Sequence, residues 1–88
     1  MNNERRKQIE AVKSRIAALL GEAESIIVDV EAIRDDEQAY RDNMPDSFAD
    51  GEKGEKADNA IYSLEQVIGD LDSFAQTDFE GALDTAAE

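Results

Sequence analysis

Eighty-eight residues make one small domain, near the size at which a single core supplies only about 3–5 kcal/mol. The chain has no Cys, so no disulfide adds to that sum, and no His, which removes the commonest general base and the commonest metal ligand. Nine Lys and Arg against 22 Asp and Glu leave a net charge of −13, a balance that repels phosphate backbones and disfavours direct nucleic-acid binding.

Such a surface suits a basic protein partner, including one whose basic face normally holds nucleic acid, and it serves equally as a solubilising coat. The N-terminal stretch carries charges every few residues and holds no uninterrupted apolar core of a signal peptide. No apolar run approaches the ~18 residues of a membrane span, so the expectation is a soluble, cytoplasmic protein. The charge is uneven: residues 1–15 carry five basic and two acidic groups, and no Lys or Arg occurs from Ala57 onward.

The first predicted element is a long helix over about residues 4–43. Ile9, Val12, Ile16, Leu19, Ala23, Ile26, Val30, Ile33, Glu37, Tyr40 and Met44 alternate in steps of three and four, the spacing of a helix with one face turned to a partner. In heptad letters these are the a and d positions, and Leu20 and Ile27, at e, widen the stripe. Arg5, Arg6 and Lys7 stand in the first turn, where the helix dipole disfavours positive charge. An antiparallel hairpin would place them beside the acidic end of the chain, Asp70, Asp72, Asp78, Glu80, Asp84 and Glu88. Pro45 stops the helix by Met44.

The connection, about residues 44–51, is built of turn residues, with Phe48 expected to plug the end of the helix pair beside Met44 and Tyr40. Asp50 or Gly51 is the expected N-cap of helix 2, with Glu52 and Glu55 complementing its dipole. Helix 2, about residues 52–75, repeats the pattern: Ala57, Ala60, Leu64, Val67, Leu71 and Phe74 at a and d, widened by Ile61, Ile68 and Ala75. Beyond Phe74 the phase slips, and two outcomes remain open. The helix either continues to about 86 through a stutter or restarts as a short third helix behind a Thr77–Glu80 capping box. Length favours continuity, since a helix of ~52 Å would then match the ~60 Å of helix 1. The fold class is thus all-α, an antiparallel helical hairpin assembling into a bundle, with Leu19, Ile26 and Ile33 buried against Leu64 and Leu71.

Around the turn, Glu37-Gln38-Ala39-Tyr40-Arg41-Asp42-Asn43-Met44-Pro45 and then Gly51-Glu52-Lys53-Gly54-Glu55-Lys56-Ala57 carry a resemblance. They are similar to the short acidic helical-hairpin proteins of phages and prophages, in which an acidic helix ends in Tyr and Asn-Met-Pro before a Glu-rich start of a second helix. The resemblance implies a phage or prophage setting, in the host cytoplasm, and supplies no catalytic residue.

Chemistry is poorly served by the remaining residues. Asp42, Asp46 and Asp50 fall four apart, without the alternate-position ligands and central Gly of an EF-hand. Glu52 and Glu55 form one E-x-x-E, with no matching downstream E-x-x-D to complete a magnesium site. Gly51 and Gly54 lack the phosphate-loop spacing. No catalytic, metal or cofactor residue is therefore expected, and the protein reads as a non-enzyme.

Surfaces say more. Asn59, Tyr62, Gln66, Gly69, Ser73 and Gln76 form an uncharged column on the back of helix 2, matched on helix 1 by Ala11, Ser14, Ala18, Gly21, Ser25, Val28 and Ala32. Depletion of charge marks interface cores. Helix propensity explains the Ala residues, but not Gly21 and Gly69. Leu20, Ile27, Ile61 and Ile68 are expected at the margin of a two-helix seam, exposed unless a second hairpin closes a dimer or larger bundle over them. Phe79 and Leu83 could cover part of that edge but not the loop end. Arg34, Arg41, Lys53 and Lys56 gather near the loop, where they could contact a phosphate ligand or simply pair with neighbouring acids. Three roles follow: an acidic inhibitor of a host defence factor, an oligomeric binder that sequesters a nucleotide-type signal, or a structural phage component.

Overall fold

Helix α1, Asn3–Asp42, opens on the side chain of Asn2, whose Oδ1 accepts the Arg5 N–H at 2.8 Å. Glu4 in its first turn and Arg41 in its last both complement the dipole. It closes at Asn43, whose backbone N–H and side-chain amide both donate to the Ala39 carbonyl, and Pro45 bars continuation. The computed structural model describes residues 1–88.

The connection is more ordered than its composition implies. Asp46–Ala49 winds a single turn, α2, with the Pro45 carbonyl accepting from the N–H groups of Phe48 and Ala49. Gly51 then caps α3, Glu52–Ala75, with Glu52 and Glu55 in the first turn. Phe48 does not plug the helix pair. It is 47% exposed, with the Lys53 ammonium 4.7 Å above its ring, and Tyr40 is also exposed. The place beside the turn is taken by Gly54, buried where α2 crosses the first turn of α3.

α3 does not run on to the end of the chain. Gln76 is its C-cap, and α4, Phe79–Ala86, restarts behind Asp78. The expected continuity fails because the bend satisfies its own backbone. Thr77 Oγ1 donates to the Ser73 carbonyl at 3.0 Å, and Asp78 Oδ1 accepts the Gly81 N–H at 2.9 Å. The N-cap is Asp78 rather than Thr77, a short carboxylate being the stronger acceptor for an orphan helix N–H. The bend brings the Phe79 ring to 5.7 Å from that of Phe74. It also sets Phe79 and Leu83 over Ile16, Ala17 and Leu20 of α1.

The all-α hairpin is present, since α1 packs antiparallel against α3 and then α4. Its rotation differs from the a/d pattern. The shielded residues of α1 include Ile9, Ile16, Leu20, Ala23, Ile27 and Val30, and those of α3 include Ala57, Ile61, Leu64, Ile68 and Leu71. The seam is therefore made of a and e positions, 40° apart on a helix, and the d positions of α1, with Val67 of α3, turn outward. Leu19, Ile26 and Ile33, expected in the seam, are 54%, 39% and 55% exposed. Ion pairs at the two ends favour this rotation: Lys13 and Arg41, both at e, reach Asp84 at 2.6 Å and Asp58 at 2.9 Å across the gap.

The basic first turn also finds a different partner from the one expected. Arg6 donates to the main-chain oxygens of Ala87 and Glu88 at 2.9 and 3.3 Å, not to a side-chain carboxylate, and the charge pair across the helices at this end belongs to Lys13. The product is a rod of 68 × 15 × 13 Å. Its radius of gyration, 20.2 Å, far exceeds the ~12 Å of a compact domain of this length. Only Ala23, Gly54, Ala57 and Ile61 are buried.

Candidate interaction surfaces

The a/e seam divides the long sides of the rod by chemistry. On each helix the b positions lie beyond e and the d positions lie beyond a. Reversing the chain direction mirrors that order, so in an antiparallel pair both b rows share one side and both d rows share the other. The b side carries Glu24, Glu31, Asp58, Glu65 and Asp72, and α4 covers its far end. Only Asp58 among these five has a cation, Arg41. The d side carries Val12, Leu19, Ile26, Ile33, Tyr40 and Val67, each between 39% and 55% exposed. One flank is acidic and the other apolar.

Away from the basic first fifteen residues the rod is predominantly negative, and four of its nine cations are held in ion pairs. Lys13 binds Asp84 and lies within 4 Å of Glu10 and Glu80. The hydrogen bond it donates to Asp84 holds its ammonium above the ordinary lysine pKa, against the opposing effect of desolvation. Arg41 grips Asp58 through Nε and a terminal nitrogen, at 2.9 and 3.4 Å, and that bond raises its pKa likewise. Arg34 turns to its neighbour Asp35, and Lys56 to Glu52 one turn earlier. Sixteen of the 22 carboxylates remain outside any ion pair.

These pairings bear on the four loop-end cations singled out as ligand contacts. Arg34, Arg41 and Lys56 are held by Asp35, Asp58 and Glu52, and Lys53 lies over Phe48, so the four do not converge on a common point. A concavity lined by both α1 and α4 lies at the opposite end. It is an open groove of about 380 Å³ between α1 and α4, with Lys13, Ile16, Leu20, Phe79 and Leu83 among its walls. Its one cation is already bound to Asp84. No cluster of three or more carboxylates could hold a metal ion, and no helix is long and apolar enough to cross a membrane.

The uncharged back column is where its spacing places it, pointing away from the seam. Asn59, Tyr62, Gln66, Gly69, Ser73 and Gln76 are all exposed, and a hydrogen bond from Gln66 Nε2 to Tyr62 Oη, 3.0 Å, links two of them. Open space surrounds Gly21 and Gly69, so neither is small on account of a contact within the chain. Leu20, Ile27, Ile61 and Ile68, expected at the margin, instead form the inside of the hairpin, with Ile61 only 8% exposed. The apolar d row took their place at the surface. Its residues were visible in the heptad pattern; that they face outward was not. Comparison with protein-family models, characterised proteins and solved structures finds no match.

Proposed function

We propose that this chain is a non-enzymatic interaction protein whose acidic flank covers a basic surface of a protein partner, acting there as an inhibitor of a host factor. The observation that carries the reading is the b row. Glu24, Glu31, Glu65 and Asp72 lie along one side of the rod with no cation paired to any of them. A row of fixed carboxylates steers a basic partner electrostatically and would compete with nucleic acid for such a face. The phage-like turn motifs support the setting, in which small acidic proteins that block host factors have an evident use.

The sequestering reading is less favoured, because the cations it requires are engaged by neighbouring carboxylates or an aromatic ring. Affinity capture from host extract tests the leading reading, using the natural chain beside a variant carrying Glu24→Gln, Glu31→Gln and Glu65→Gln. The expected result is a basic protein retained by the natural chain, released at about 0.5 M salt and lost by the variant. Equal retention by both chains would count against the acidic flank.

A further inference from the structure

The apolar flank poses a separate question, since nothing in the hairpin covers it. Val12, Leu19, Ile26, Ile33 and Tyr40 follow one another every seven residues. Seven residues fall only 20° short of two turns, so over its ~42 Å along α1 the row winds slowly, by about 80° in all. Val67 of α3 adds to it from the same side of the rod and is 45% exposed. α4 offers no cover, because it packs on the opposite side, over Ile16, Ala17 and Leu20. Monomeric proteins rarely leave a contiguous apolar surface of that extent.

We propose that a second copy of this chain occupies the flank, face to face, so that two hairpins close a four-helix bundle. Area supports this occupant. The accessible surface is 6363 Å², whereas a compact monomer of 9.7 kDa exposes about 5,100 Å². The rod shape thus leaves about 1,200 Å² per chain more than a compact monomer exposes, and two copies that buried an equal area on each would share about 2,400 Å², the size of a homodimer interface. Pattern supports it too. A row of Val, Leu and Ile repeating every seven residues presents knobs and hollows at equal intervals, and an identical row meets both. One such hollow already exists between Val12, Arg15, Ile16 and Leu19. Pairing through this side leaves the b rows of both copies facing outward, so the assembly and the acidic flank do not compete for surface.

Sedimentation equilibrium of the full chain at about 50 µM is the test, comparing natural protein with a Leu19→Glu, Ile33→Glu double variant. Both side chains are more than half exposed in the single hairpin, so the variant keeps its intrachain seam. The expected masses are twice the 9.7 kDa chain for the natural protein and a single chain for the variant, with helical circular dichroism retained. A Val28→Glu control, 64% exposed on the back of α1, should remain at twice the chain mass. A natural protein that sediments as one chain overturns the proposal, as does a double variant that stays paired. Should the double variant unfold, melting of the natural protein decides: Tm must rise over about a hundred-fold range of concentration, and an invariant Tm overturns the proposal.

Discussion

Two glycines within helices have opposite meanings, one mid-helix in α1 and one in the first turn of α3. Around Gly21 there is open space, and a methyl group added there would meet nothing within 4 Å. At Gly54 the same methyl would overlap the Ala49 carbonyl and backbone, which are held in place by the one-turn helix between Pro45 and Asp50. Gly21→Ala should therefore stabilise the protein by about 0.5–1 kcal/mol, the usual gain from replacing a helical glycine. Gly54→Ala should destabilise it by about 1–3 kcal/mol, the usual cost of overpacking, because the obstructing atoms are backbone and cannot rotate aside. Urea denaturation of the two variants reads both signs. Nothing in the amino-acid order separates these two positions. Each glycine sits among helix formers, and the contact that distinguishes them comes from the path of a four-residue turn. Asp78 was similarly hidden. It stands next to a Thr that fits the same capping role, and only the geometry of the bend selects the carboxylate.

For whole helices, the three-and-four spacing was enough to find α1 and α3 and to pair them antiparallel. It was not enough to set their rotation. Apolar residues fill a, d and e, and any two neighbouring strips of the three could make the seam. The polar residues at the ends of the e strip break that tie, since Lys13 and Arg41 meet Asp84 and Asp58 only if e faces inward. The Lys13 pair gives this a pH signature. Its folded-state pKa lies above the ordinary value, so its stabilisation is full below about pH 10.4 and fades as pH rises through the folded value. Asp84→Asn removes the partner. The natural protein should melt above the variant at pH 8, and the gap should close at strongly alkaline pH, as thermal melts of the two side by side would show. A gap independent of pH would assign the difference to packing of α4 instead.

At the scale of the molecule, repulsion among like charges outweighs attraction. Sixteen carboxylates lack an ionic partner, against six that have one. Raising NaCl from about 10 mM to about 1 M shortens the Debye length from ~30 to ~3 Å and screens both kinds of interaction. The exposed pairs contribute little to begin with, so relief of repulsion should prevail and Tm should rise with salt. A falling Tm would mean that the six pairs matter more than their exposure implies. The rod shape itself was legible from the helix lengths. Its two-sided character was not, because it depends on the rotation that the heptad pattern left open.

The hydrogen bonds from Arg6 to Ala87 and Glu88 set the two ends of the chain side by side, 68 Å from the turn at the far tip. That placement decides how the protein would respond to mechanical load. Pulled by its ends, the hairpin opens as a zipper: Arg6 lets go first, then Lys13, and each helical turn peels in sequence under a force that never loads more than one contact layer. Gripped instead at one end and at the tip, the load runs along the backbone of one helix rather than across the seam, and the zipper is not drawn.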